Sequence, residues 1–336
     1  MNRNKKCYLH IGAPKTGSTA LQYFLYENRR KLAEHGWIYP DVSLRGFGHH
    51  DIALLLDGGY PEWALPQERS LSELIEELRK SIADCSQVIL SSENFYLFPH
   101  PQQVAEIMHS AGFPPESIRI VAYIRRQDEA HISWYNQTVK AQGYPGTIDQ
   151  CIQETFELWD YQTQLEKWAH VFGQKNILIR PYEKKQLVDG DVRKDFLKLL
   201  HISTDDLIFA KKTINTRLNR DLLEFQRILN HLPLSSKEKR SFHKEMIDLT
   251  LYSDGKNVFD DSPLLAFEQR KNILSSYESS NNYVSQTYLK RKKLFDNELS
   301  CSDQQSNTHN TLSIDKVIQI FGWIMIKKNQ NISLQE

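Results

Sequence analysis
From Gly12 to Thr19 the chain reads Gly-Ala-Pro-Lys-Thr-Gly-Ser-Thr, one lysine set among hydroxyl-bearing residues with a glycine on either side. Glycines let backbone N–H groups turn inward, and a lysine with neighbouring hydroxyls supplies further donors, so the stretch has the chemistry of an anion cradle. Its flanks predict the elements that hold it. Tyr8, Leu9 and Ile11 form an apolar run that reads as a buried strand, and Leu21, Phe24, Leu25 and Leu32 mark one face of a helix beginning at Ser18. The N-terminus of that helix adds partial positive charge to the loop. Three other groups have chemistry to offer: Glu93 after the apolar run Val88–Leu90, the pair Arg125-Arg126 after Ile118–Ile124, and His49-His50 in a glycine-rich stretch. Polar residues at strand C-termini lie where open α/β sheets place their ligands.

A nucleoside-triphosphate P-loop carries its lysine directly after the second glycine. Gly12 and Gly17 keep that spacing, but Ser18 stands in the lysine position and Lys15 lies inside the loop, beside a different atom of any bound anion. Pro14, Lys15, Thr16, Gly17, Ser18 and Thr19 fit P-K-[ST]-G-[ST]-T position by position. The stretch resembles the 5′-phosphosulfate loop of sulfotransferases that use 3′-phosphoadenosine 5′-phosphosulfate (PAPS). A second match follows the third predicted strand. The family places an arginine at the strand end and a serine eight residues on, both on the 3′-phosphate, and Arg125 and Ser133 keep that spacing (133 − 125 = 8). A planar guanidinium with a neutral hydroxyl suits a dianionic phosphate. The family usually has Arg-Asn where this chain has Arg125-Arg126, so Arg126 could share or replace the role.

The resemblance implies roles residue by residue. Lys15 would meet the bridging oxygen between phosphate and sulfate, and the N–H groups and hydroxyls of Thr16 to Thr19 would hold the 5′-phosphate. Adenosine 3′,5′-diphosphate is then the product. Ile177 to Leu200 resembles the family's late strand, Tyr-Glu turn and following helix, where Tyr182 borders the adenine; a packed core tyrosine is the alternative. Family members acting on small phenols and alcohols use a histidine as base, while several carbohydrate-acting members use a glutamate. Glu93, within Ser-Ser-Glu, fits the glutamate type, with a helix-capping carboxylate as its alternative. His49 and His50 are the reserve candidates for the base and for substrate contact. No third ligand is near them in sequence, so no metal is expected. Tyr277 to Phe295 resembles the closing segment of bacterial members, which extends the resemblance over Tyr8 to Phe295.

Composition bounds the rest. The chain has 336 residues, 40% hydrophobic and 25% charged, with 42 basic and 42 acidic side chains. That is ordinary for a soluble globular protein, and zero net charge argues against bulk electrostatic binding of nucleic acid. Cys7, Cys85, Cys151 and Cys301 are scattered without a C-x-x-C pair, as suits a reducing compartment. No apolar h-region precedes the first strand and no run approaches the ~20 residues needed to span a bilayer, so the expected location is cytoplasmic.

Strand-like and helix-like segments alternate up to about residue 205. This predicts an α/β fold, a P-loop-like parallel sheet flanked by helices, with a mainly helical part from about 206 to 295. Residues 296–313 read as a polar linker. Residues 314–336 read as a C-terminal apolar segment that docks as a helix, or contacts a membrane surface or a second copy. The expected activity is transfer of a sulfuryl group from PAPS to a hydroxyl or amine of a saccharide-containing acceptor. Trp37, Trp63 and Trp134 could stack on sugar rings or pack the core. The alternatives are an ATP-dependent P-loop kinase and a nucleotide-binding module without turnover.

Overall fold
The computed structural model describes residues 5–61, 64–210, 217–256, 258–260, 262–299 and 312–332. The chain divides into two compact units. The first takes Met1–Ala130, Phe156–Ile214 and Leu274–Glu298, and the second takes His131–Thr155, Asn215–Ile273 and Leu299–Glu336.

The first unit is built on a five-stranded parallel sheet. Its strands are β1 (Lys6–His10), β2 (Trp37–Ile38), β3 (Gln87–Ser91), β4 (Ile118–Ile124) and β5 (Ile177–Pro181), in the order β2-β3-β1-β4-β5. The parallel sheet flanked by helices agrees with the predicted fold class. Cys7 and Leu9 of β1, Val88 and Ile89 of β3, and Ile120 to Ile124 of β4 are fully buried. Strands covered on both faces read as unbroken apolar runs, which is why these three stood out in the sequence. The edge strand β2 did not. It pairs only Trp37 with Gln87 and Ile38 with Val88, too short a stretch to carry a pattern.

The register sets the site. His10 of β1 lies level with Ser91 of β3 and Val121 of β4, so the loops after β1 and β3 leave the sheet side by side. After β3 the chain passes over β1 to form β4 on its other side. Such a reversal opens the crevice in which α/β sheets bind ligands.

The helices of this unit are α1 (Ser18–Glu27), α2 (Arg29–Glu34), α3 (His50–Leu56), α4 (Leu71–Ile82), α5 (Asn94–Leu97) and α6 (Pro101–Ser110), followed by the first residues of α7 (Gln127–Gln137). The single helix expected from Ser18 breaks at Asn28, whose side-chain amide donates to the Phe24 carbonyl at 2.9 Å. After α8 (Ile148–Glu154), which belongs to the second unit, come α9 (Tyr161–Phe172) and α10 (Val192–Leu200). Residues 148–172 are thus not one helix, and Asp160 caps α9 through the Thr163 N–H. Leu21, Phe24 and Leu25 of α1 and Phe196 and Leu197 of α10 cover Ile89, Val121 and Tyr123 of the sheet. Each such side chain contributes about 1.5–3 kcal/mol by burial.

The second unit is helical. It contains the rest of α7, α8, α11 (Arg220–Leu229), α12 (Ser236–Ser253) and most of α13 (Phe267–Ser276), while α14 (Glu278–Val284) returns to the first unit. The C-terminal helix α15 (Ile314–Ile332) places Ile320 and Ile324 in the second unit's core with Leu222, Leu223, Met246 and Leu249. Its Ile318 and Phe321 stay exposed. Among the described residues no helix is long and apolar enough to cross a membrane. Most of the predicted polar linker, and Trp63, lie outside the described residues.

Candidate functional site
The loop after β1 is drawn along β4 before it turns. Ile11 N–H donates to Val121 and Ala13 N–H to Tyr123, each at 2.9 Å. Gly12, Lys15 and Gly17 then take left-handed backbone angles, with φ of 36°, 66° and 80°. Left-handed residues interspersed along a short loop turn successive N–H groups to one side and make an anion-binding concavity. For Lys15 this conformation costs about 1–2 kcal/mol, so its neighbours must impose it. Pro14 is buried, and the fully buried Thr16 donates its hydroxyl to the Ala13 carbonyl at 2.6 Å. Helix α1 starts at Ser18 with no side-chain cap and no acid in its first turn, so no side chain cap takes its leading N–H groups. Thr19 sits half-buried in that turn.

Two side chains converge on this loop. A β-carbon on Gly17 would lie 3.0 Å from the Tyr182 ring and its hydroxyl, so only glycine admits Tyr182 this closely. Arg125 follows β4, and its Nη1 reaches the Lys15 carbonyl at 3.4 Å while its Nε donates to Glu129 at 3.0 Å. Tyr161 fixes the strand end, its hydroxyl donating to the Arg125 carbonyl and accepting from the Arg125 N–H. Burial raises the Tyr182 phenol above its ordinary range, while the charge of Arg125 pulls it down.

The Arg-Arg pair is divided. Arg126 is buried and chelates Asp128 through Nε at 2.7 Å and Nη2 at 3.0 Å, with Nη1 on the Asn297 carbonyl at 2.8 Å. It is a structural staple, and Arg125 alone faces the loop. Ser133 lies on α7, within the second unit.

A polar cluster stands at the ends of β1 and β3. Glu93 follows β3 and accepts a hydrogen bond from Gln22 of α1 at 2.8 Å. His50 Nδ1 lies 2.7 Å from the Ser92 hydroxyl. A β-carbon on Gly48 would meet His50 Nε2 at 2.5 Å and the Gln22 amide at 2.8 Å, so this glycine lets both side chains close over it. Burial alone would raise the Glu93 carboxyl, but His50, the Gln22 hydrogen bond and His10 together hold it below the usual carboxylate range. Glu93 occupies the N-cap position of α5 without a capping hydrogen bond. His49 differs from its neighbour. It is buried, with Nε2 3.0 Å from the Pro40 carbonyl and Nδ1 accepting from the Ser91 N–H at 3.1 Å, both main-chain contacts.

Among the described residues no three His, Cys, Asp or Glu side chains converge as metal ligands. Trp37 is buried against Tyr8, with ring centroids 5.4 Å apart, and Trp134 packs against the core of the second unit. Sequence reasoning passed over Gln22, Tyr161, Glu129 and His10. Gln22 and His10 did leave a trace, being polar residues on otherwise apolar faces.

No protein-family model matches the chain. An uncharacterised protein of Archaeoglobus fulgidus is 28% identical over 180 residues, which cover 53% of this chain and 47% of the relative. The match thus spans about half the length of that relative. Among solved structures, a sulfotransferase from Alicyclobacillus acidocaldarius overlays at 16% identity and a TM-score of 0.41, over 70% of this chain and 99% of its own. The resemblance to a sulfotransferase-like fold is distant.

Proposed function
We propose that the chain is a sulfotransferase that moves a sulfuryl group from PAPS to a hydroxyl, or amine, of a saccharide-containing acceptor. The observation that carries this reading is the convergence of Arg125 and Tyr182 on a loop that holds its lysine between the two glycines. The residues fit the donor: the left-handed loop suits the 5′-phosphate, and any β-carbon at Gly17 would displace Tyr182. The donor supplies an activated sulfuryl group and a diphosphate leaving group.

The chain's own residues do the rest. Lys15 offers a cation to the bridging oxygen as its bond to sulfur breaks, and the N–H groups of Thr16 to Thr19 with Pro14 behind them hold the 5′-phosphate. Arg125 pairs with the 3′-phosphate. Tyr182 borders the base. Glu93 takes the acceptor's proton as the new oxygen–sulfur bond forms, with Gln22 and His50 orienting its carboxylate. A carboxylate held below its usual range is ionised at neutral pH but weakly basic, so proton transfer comes late, once bond formation has acidified the hydroxyl. His50, half-buried, is the proposed acceptor contact. As in phosphoryl transfer, positioning and electrostatics then supply most of the rate.

Calorimetric titration with adenosine 3′,5′-diphosphate, with ATP as control and magnesium absent, tests the reading without knowledge of the acceptor. Binding that requires the 3′-phosphate and weakens in Arg125→Ala supports it. A preference for magnesium-ATP would replace it with the kinase.

A further inference from the structure
His10 stands at the C-terminal end of the central strand, and the transfer described above gives it no part. It ends β1, is fully buried, and meets Tyr123 and Phe196 edge-on at centroid distances of 5.8 and 5.9 Å. Nδ1 lies 2.7 Å from the Ser91 hydroxyl. Nε2 has no hydrogen-bond partner among the described residues. That nitrogen faces the loop: a β-carbon on Gly12 would lie 2.8 Å from Nε2, and 3.6 Å from the Thr16 hydroxyl. Burial lowers the ring pKa to about 4, against the opposing pull of Glu93, so the imidazole is neutral at physiological pH. A neutral imidazole has one donor and one acceptor, and a buried polar atom left unpaired is destabilising. A phenylalanine could fill this position without that cost.

We infer that His10 is a ligand-binding residue of the loop. The Ser91 hydroxyl donates to Nδ1, which fixes the proton on Nε2, and the Nε2–H donates to an oxygen of the phosphate or sulfate group held between Gly12 and Gly17. The inference rests on the reading of this loop as an anion cradle and adds to its backbone, lysine and hydroxyl donors one further neutral donor, an imidazole N–H held from the end of β1. A neutral donor brings no charge to be compensated when the anion leaves. Its contribution is placement of one oxygen, and the lack of a side chain at Gly12 keeps its path open.

The test is 15N NMR of the full chain labelled at histidine, with the His10 signals identified by their loss in His10→Gln. Adenosine 3′,5′-diphosphate and inorganic pyrophosphate are titrated separately. The expected result is an Nε2–H tautomer whose Nε2 resonance moves as ligand saturates, with binding about ten- to a hundredfold weaker in His10→Phe. Partial recovery in His10→Gln, which keeps a donor, would separate hydrogen bonding from packing. If pyrophosphate moves the His10 resonance and the nucleotide does not bind, His10 keeps its role and the sulfotransferase reading fails. A resonance unmoved at saturation overturns the inference without using any variant. Absence of binding by both anions removes it together with the cradle.

Discussion
Gln22, in the second turn of α1, donates its side-chain amide to the Glu93 carboxylate across 2.8 Å. The helix that leaves the anion loop is thereby tied to the end of β3. A ligand that tightens the loop acts on the start of α1, and the same helix holds the carboxylate proposed as base. In the proposed reaction, this one amide would couple the cofactor position to the acceptor position.

Removing that amide should change the pH profile more than the fold. Gln22→Leu withdraws a hydrogen bond from the ionised form of Glu93, so its pKa rises. Activity that needs ionised Glu93 is then lost at a higher pH on the acid side. The measurement is kcat/KM against pH. An acid limb that stays in place would remove Glu93 from the role of base.

The two arginines should separate stability from binding. Arg126→Met leaves Asp128 buried beside a lost partner and should cost about 3–5 kcal/mol in urea unfolding. Arg125→Met breaks a partly exposed pair with Glu129 and should cost under about 1 kcal/mol, while nucleotide affinity falls at least tenfold. Equal destabilisation by both would contradict the division of the pair.

Gly17→Ala forces a side chain into a left-handed residue and against Tyr182. A stability loss of about 1–2 kcal/mol is expected, read by thermal unfolding. Gly17→Ala combined with Tyr182→Ala should relieve the clash but not the backbone strain, so full recovery of stability in the double variant would show that φ is not the constraint.

Acid should destabilise the first unit through two buried rings. His10 and His49 both have folded-state pKa values lowered to about 4, chiefly by burial. The unfolded chain therefore binds more protons between pH 6.5 and 4, and stability falls as pH falls through that window. The loss approaches roughly 3 kcal/mol per ring at pH 4. Unfolding midpoints from pH 7.5 to 4.5 should show it, and His49→Gln, though less stable at pH 7.5, should have a shallower slope.

Catalytic activity has its own check in Lys15→Ala. Loss of the cation proposed for the bridging oxygen should lower kcat by at least a hundredfold while adenosine 3′,5′-diphosphate still binds. Near-normal turnover would remove Lys15 from the mechanism.

The sequence by itself determined the loop, its lysine, the three inner strands of the sheet and the arginine at the end of β4. These lie in contiguous stretches, where an apolar run, two glycines and a helical face state the local structure directly. Tertiary structure decided the rest. It sent Arg126 to Asn297, 171 residues away, and left Arg125 to the loop, a choice two identical neighbours cannot express in sequence. It joined Gln22 to Glu93 across 71 residues and set His10 against Ser91 across 81. It also grouped residues 131–155 with the later helices, although they fall between two strands of the sheet. Local pattern follows from backbone geometry and burial along the chain. Which polar group meets which follows only from strand order and register, because parallel strands bring distant residues level at the end of the sheet where the loop begins.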